Sequence, residues 1–455
     1  MGGGFGGLYA AKQLARLNVQ VTLLDRCNCH LFQPLLYQVA IGALSPANIA
    51  APLRGILRHK QNVQVLLAEV TGFDVGNRRV LYDGGELSYD TLIVAAGMVD
   101  AYFGHQEWET LAPGLKNIED ATRIRARILS AFEAAERLAD PQEIQKWLTF
   151  VIVGGGTTGV ELAGALAEIA RYTLRGNFHN IDPSQARIYL VEGADRVLPP
   201  YPPELSAQAL RSLTQMGVSV LTGTLVQDIQ PGAVVVKQAD QTRTFETYTV
   251  LWAAGVSGSP LAKALAEATA AQVDRSGRVI VQPDLTVPGH PDVFVIGDLA
   301  HFNHQTRKPL PGVAQVAMQQ GRYVAREVDA RLKGKTLPPF HYQDRGTMAT
   351  IGRASAVADL GRIKLHGYLG WLAWLFIHLI YLIEFENRQL VVLQWAWNYF
   401  TRNRAARLIT AKRHAFLFPT PRKAAEGAPR TAGVCYVFTP KYEHLYPARG
   451  EVCPQ

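Results

Sequence analysis

Two glycine runs in this sequence have spacings that could do chemistry. Gly2, Gly4 and Gly7 in "MGGGFGGLYA" read G-x-G-x-x-G, as do Gly154, Gly156 and Gly159 in "FVIVGGGTTGVELAGALAEIA". Such a run brings backbone close to a diphosphate and opens a helix whose first N–H groups attract it. The same chemistry needs a carboxylate at the end of the next strand, to accept the hydroxyls of a ribose. Each run has one. Asp25 closes "VQVTLLDR", 18 positions beyond Gly7, and Glu192 closes "ARIYLVEG" after a connection lengthened by "NFHNIDPSQ". An acid at position 192 favours a free 2′-hydroxyl over a 2′-phosphate, and Arg196 is the nearest cation to it.

Three further segments could meet such a ligand. "YDTLIVAAG" and "YTVLWAAG" read as strands ending in small residues, Ala95-Ala96-Gly97 and Ala253-Ala254-Gly255, where a cofactor can pass close to backbone. "HPDVFVIGDLA" runs a strand into Gly297-Asp298, an acid placed to bond a sugar-alcohol chain. Taken singly, each segment also reads as an ordinary buried strand. Gln315 and Gln319 in "AQVAMQQGRYVAREV" share one helix face, and neutral amides can donate to carbonyl oxygens without charging an apolar site.

The elements around the first run fit the reading. Leu8, Ala11, Leu14 and Leu17 recur at helical spacing after Gly7, and a β-branched strand follows. What precedes the glycines is only Met1, where a buried strand is expected. The second run has its strand, Phe150 to Val153, and an alanine-rich helix after it. Composition sets the outer limits: 455 residues, 48% hydrophobic and 18% charged, is greasy for a soluble enzyme and too polar for a many-span membrane protein. A net charge of +8 selects no partner by itself, and no nucleic-acid partner is expected. Cysteines stand only at Cys27, Cys29, Cys435 and Cys453, so there is no disulfide framework and no zinc quartet, and no metal is expected. No secretory signal peptide is visible.

The whole pattern resembles the two-dinucleotide-binding-domain flavoproteins. Within them, "HLFQPLLYQVAIGALSP", "YFGHQEW", "GVELAGALAEIA", "PGVAQVAMQQG" and "HGYLGWLAWLFIHLIYLI" are similar to the type II NADH dehydrogenases, single-subunit NADH:quinone oxidoreductases. The similarity runs in order over residues 2 to 410. It implies FAD on Gly2, Gly4, Gly7, Asp25, Ala96, Gly97, Gly297 and Ala314, with Asp298 on the ribityl chain and the backbone of Val70 at the adenine. It implies NADH on Gly154, Gly156, Gly159, Glu192 and Gly255, with Glu161 where nicotinamide approaches flavin, and Gln315 and Gln319 at the quinone or the flavin. Members carry a V-V-I-V-G-G-G strand ahead of the first glycines, so the start of this chain reads as assigned one strand late. The cysteine-free stretch from Cys29 to Cys435 removes disulfide reductases and sulfide:quinone reductases as readings.

The C-terminal part implies where a quinone is met. Tyr368 to Ile383 carries no formal charge but falls short of the ~20 residues needed to cross a bilayer. "QLVVLQWAWNYF" follows after a charged break; Trp371, Trp374, Trp395, Trp397, Tyr381 and Tyr399 suit a headgroup region. Arg402, Arg404, Arg407, Lys412 and Arg413 are expected to meet anionic lipid, and His378 to be packed rather than titrating. The expected fold is α/β: two Rossmann-like dinucleotide-binding domains, for FAD and NADH, plus a C-terminal amphipathic membrane-docking region lying in one leaflet. The boundaries expected are 1–115 and 271–338 for FAD, 116–270 for NADH, 339–410 for the anchor and 411–455 for a flexible tail. The expected function is NADH oxidation with two-electron reduction of a ubiquinone-, menaquinone- or plastoquinone-type membrane quinone, without proton pumping. The setting expected is the cytoplasmic face of a bacterial membrane, with room for a homodimer. Two rival readings are a reductase of a small electron-carrier protein and a non-turnover NADH/FAD redox sensor.

Overall fold

The computed structural model describes residues 1–383, 385–404 and 406–410. The expected tail, with Cys435, Cys453, Lys412 and Arg413, lies outside the described residues.

Each glycine run sits against its own parallel sheet. Strands Arg187–Val191 and Thr249–Trp252 flank Thr149–Val153, and Val218–Leu221 extends the sheet beyond the first of them, all parallel. All five residues of Thr149–Val153 are buried, as the apolar run Phe150–Val153 requires of a central strand covered on both faces. The first run's sheet is in two pieces. Val21–Asp25 pairs with Val63–Leu67, while Leu92–Val94 pairs with His290–Val295. Met1 and Gly2 stitch the pieces together: the Gly2 amide donates to the Leu24 carbonyl at 2.8 Å, and the Met1 ammonium to that of Ile93 at 2.8 Å.

The two sheets are cross-linked at their small-residue ends. Directly after Gly97, Met98–Asp100 pairs antiparallel with Val256–Gly258, which directly follows Gly255. Helix Ala314–Leu332 returns the chain to the first sheet, packing along helix Phe5–Leu14. A three-stranded antiparallel sheet, Thr347–Gly352, Ser355–Asp359 and Lys364–His366, then covers the second run's helix, Thr157–Glu168.

Two helices follow, Gly367–Tyr381 and Phe385–Thr401, in the region expected to be the anchor. Among the described residues no helix is long and apolar enough to cross a membrane. Each helix has a packed side and a bare side. Trp374 and Val391 are buried, whereas Leu369 is 63% exposed, Phe376 63%, Leu393 67% and Phe400 80%. One basic residue expected at lipid is elsewhere: Arg404 is buried, donating to Glu168 at 2.7 Å and to the carbonyl of Ala165 at 3.1 Å. Burial of a cation is tolerated only with such pairing, and it removes Arg404 from the membrane-facing set.

Candidate active site

The two glycine runs build one geometry twice. Gly2 and Gly154 both take positive φ, +92° and +105°, in turns where a Cβ would collide with the carbonyls of Ala95 and Ala253. Gly7 and Gly159 each lie against the carbonyl of the first glycine, so a methyl group at either would push helix from strand. Gly4 and Gly156 cap the helices in extended backbone (φ −68° and −70°), with no side chain on the first helical N–H groups and nothing within 4 Å of where a Cβ would lie. Those N–H groups and that space are what a diphosphate takes up.

The strand-end acids are also held alike. Asp25 accepts from the amides of Gly3 (2.5 Å) and Cys27 (2.6 Å). Glu192 accepts from those of Gly155 (2.5 Å) and Ala194 (2.7 Å). Each carboxylate thereby clamps its own glycine loop.

A cavity of about 1590 Å³ opens over the first run, well beyond the ~300–1,000 Å³ of an ordinary small-ligand cleft. Gly2, Gly4, Asp25, Ala96, Gly97, Gly297, Asp298, Ala314 and Gln315 line it. Burial raises the carboxyl of Asp298, with Lys116 acting against the rise. Neither Val70 nor Gly7 lines the cavity: Val70 packs in the core at the start of its strand, where Leu67 reaches the cavity instead, and Gly7 is buried in its helix. Gly154, Gly156, Gly159, Glu192 and Gly255 lie outside its walls, but Thr157, Thr158 and Glu161, on the helix they open, line it. Phe103, at a positive φ of 52°, lays its ring over Gly255.

Glu161 has an unusual position. It is buried, lines both this cavity and a second of about 480 Å³, and has one long bond, from the Thr350 amide at 3.4 Å. Burial without a facing cation pushes its carboxyl well above the ordinary 4.5. Tyr37 lines both cavities beside it, and burial raises its phenol likewise. A chain of bonds fixes this wall to the anchor: Trp395 donates to Gln38 at 2.7 Å, and Gln38 to the Tyr37 hydroxyl at 2.9 Å. Tyr37 and Gln38 fall within "HLFQPLLYQVAIGALSP", but no local spacing singles them out there, because what gives them their place is tertiary packing.

The two glutamines are both engaged. Gln315 donates to the carbonyl of Gly346 at 2.7 Å and accepts from the Arg345 amide at 3.3 Å. Gln319 donates to Gln343 at 2.9 Å and accepts from the same residue's amide at 3.0 Å. Gln315 faces the cavity; Gln319 does not line it. The helix Gly367–Tyr381 also contributes to the cavity's lining, through Ile377, His378 and Tyr381. His378 is packed: it stacks on Trp374 at 4.4 Å, and burial lowers it to about 4.

Comparison with known proteins agrees with this geometry. A family profile described as pyridine nucleotide-disulphide oxidoreductase matches residues 1–321, and one described as NDH2 C-terminal domain matches residues 345–403. The type II NADH:quinone oxidoreductase Ndh of Mycobacterium tuberculosis is 45% identical over 418 residues, 90% of this chain and 89% of that one. The type II NADH:quinone oxidoreductase of Staphylococcus haemolyticus is 32% identical over 362 residues, 78% of this chain and 88% of that one. In fold, NDH2 from Plasmodium falciparum, solved in complex with NADH, superposes with a TM-score of 0.80 at 20% identity, over 90% of this chain and 98% of that one. The chain belongs to the pyridine nucleotide-disulphide oxidoreductase family and, within it, to the type II NADH:quinone oxidoreductases.

Proposed function

We infer that the chain oxidises NADH and reduces a membrane quinone, using FAD bound in the larger cavity. One observation carries this reading: a single cavity runs from the first glycine loop and Asp298 to His378 and Tyr381 of an anchor helix. Donor chemistry and membrane-side acceptor therefore share one space.

The residues present fit the groups. Gly2, Gly4 and Asp25 form the diphosphate and ribose end for FAD, with Gly7 letting the helix pack close behind the loop and Ala96, Gly97, Gly297 and Ala314 passing close to the cofactor. Asp298 is the acceptor for the ribityl hydroxyls, its oxygens carrying no protein partner among the described residues. The second run, with Glu192 and Gly255, receives NADH. The flavin, when bound, accepts a hydride and passes on an electron pair. The protein's part is to hold the two ligands in line, exclude water and supply a proton. Glu161, placed between the two cavities with its Oε2 left free by Thr350, is the group we assign to supply it. Gln315 and Gln319 fix the segment 343–346, whose Arg345 and Gly346 line the acceptor end.

We read 1–115 and 271–338 as the FAD domain, 116–270 as the NADH domain and 339–410 as the anchor. The bare faces of the anchor helices lie in one leaflet and meet anionic lipid, at the cytoplasmic side of a bacterial membrane; the curated relatives are bacterial.

An absorption spectrum of membrane-bound protein, taken before and after NADH, tests the reading. NADH should bleach the flavin band and added quinone restore it, and NADH should exceed NADPH at least about tenfold in kcat/KM, as an acid at the ribose demands. Equal use of both nucleotides would remove Glu192 from its role. A spectrum without flavin would end the reading altogether.

A further inference from the structure

The second cavity, of about 480 Å³, lies on the anchor side of Glu161, and the flavin chemistry leaves most of its wall unused. Three elements form its mouth. One is the turn Ile169–Thr173 after the second run's helix, a π-turn closed by the Leu174 amide bonding the Ile169 carbonyl at 3.0 Å. Such turns re-aim side chains and gather at functional positions. The others are the hairpin end at Arg353 and the residue just past helix Phe385–Thr401, Arg402. The Thr173 hydroxyl donates to the Arg402 carbonyl at 3.2 Å, which holds the first and third together.

Four arginines line this cavity, and their charges are not equally spent. Arg404 is consumed by Glu168. The second oxygen of Glu168 accepts from the Arg353 backbone amide, so that acid has nothing left for a guanidinium. The other acid in the wall, Glu161, is buried and bonds the Thr350 amide, with no ion pair to any of these arginines among the described residues. Arg353 rests on the ring of Tyr399 at 4.2 Å and Arg402 on Tyr172 at 4.3 Å, while Arg171 packs against Gly217. None of these three appears in an ion pair among the described residues, and aromatic faces orient a guanidinium without neutralising it. Tyr399 in turn stacks on Trp371 at 5.4 Å, and Trp371 belongs to the helix whose other face is bare.

We propose that this cavity is a binding site for the phosphate of an anionic phospholipid, held by Arg171, Arg353 and Arg402. Planar guanidinium groups match phosphate oxygens bidentately, and the Trp371–Tyr399 stack offers an apolar wall at headgroup depth. The acyl chains would leave along the exposed side of the anchor helices. The proposal rests on the reading that these helices meet a bilayer, and it adds a specific headgroup seat to a general apolar anchor.

The test uses the FAD-loaded full chain with sedimented vesicles, of phosphatidylcholine alone or partly replaced by phosphatidylglycerol. The intact protein should bind both and prefer the anionic vesicles at least about tenfold, the scale expected for two basic groups at such a surface. R353Q/R402Q should lose that preference while binding phosphatidylcholine as before, and R353K/R402K should keep part of it. An undiminished preference in R353Q/R402Q, with flavin content normal, would overturn the headgroup site and leave the anchor standing. Failure of the intact protein to bind phosphatidylcholine vesicles would instead overturn the anchor reading. Thermal unfolding separates the source of the phosphate. Short-chain phosphatidylglycerol should raise Tm in the intact protein and not in R353Q/R402Q; equal protection by inorganic phosphate would assign the site to a free anion, not to lipid.

Discussion

A buried acid with no cation opposite it has a cost that depends on pH, and Glu161 is such an acid. Its folded pKa stands well above the unfolded 4.5. Below that unfolded value both states hold the proton and nothing is lost. As pH rises past it, the unfolded chain releases the proton and the folded chain keeps it, so stability falls, by about 1.4 kcal/mol per pH unit, until the folded pKa is reached. Glu161→Gln has the same shape and no titration. The variant should match the parent in urea unfolding at or below about pH 4.5 and become progressively more stable than the parent as pH rises above it. Turnover should move the other way: with no proton at that position, flavin reoxidation by quinone slows about a hundredfold, within the range of general acid catalysis. A parallel pH dependence for the two proteins would mean that Glu161 is ionised and the proton assignment wrong. Such a gain of stability with a loss of rate is the signature of a group retained for chemistry.

At the scale of elements, the helix Ala314–Leu332 acts as a ruler. Gln315 and Gln319, one turn apart, bond the backbone at 343–346 in the same two-way pattern, so this extended segment is held in register along the helix. Gln319→Leu removes two bonds worth about 1 kcal/mol each. Amide exchange at Gln343 should then rise by up to about 25-fold, the factor that ~2 kcal/mol allows. Reoxidation by quinone should slow, while reduction by NADH stays near normal. Unchanged exchange at Gln343 would show that the segment is held by something else. The same helix marks what a sequence can and cannot tell. Glycine runs and strand-end acids are legible because their spacing is local: fewer than forty residues contain loop, helix, strand and carboxylate. That Gln315 and Gln319 share a face is legible for the same reason. Their partners are not, since segment 343–346 has no periodicity and is reached only through the fold. Arg404 fails in the same way: beside Arg402 and Arg407 it reads as a basic rim, and only tertiary packing reveals Glu168 beneath it. The position of Glu161 between two cavities likewise needs Tyr37 and Thr350 brought in from distant segments.

For the whole molecule, the anchor cannot be treated as an appendage. Removing the chain from Tyr368 onward would take away Trp374 and Val391 from the packed side, His378 and Tyr381 from the cavity wall, and the partner of Glu168. Loss of membrane binding in such a truncation would be confounded with collapse of the site. The informative change strips only the bare side. Leu369, Phe376, Leu393 and Phe400 touch the core little, and burying each in lipid is worth about 1.5–3 kcal/mol, reduced by the third or so already covered. Together they contribute several kcal/mol, against ~1 kcal/mol for each basic residue near an anionic surface. The apolar term therefore dominates. High salt should loosen the intact protein only slightly, because it screens the smaller term, whereas detergent should extract it. L369S/F376S/L393S/F400S should appear in the soluble fraction with its flavin in place, because none of the four lines either cavity. It should still pass electrons from NADH to a water-soluble acceptor, and lose most activity with long-tailed quinones that remain in the bilayer. If the quadruple variant stayed with the membrane, or salt alone released the parent, the exposed faces of Gly367–Tyr381 and Phe385–Thr401 would not be what holds this protein to lipid.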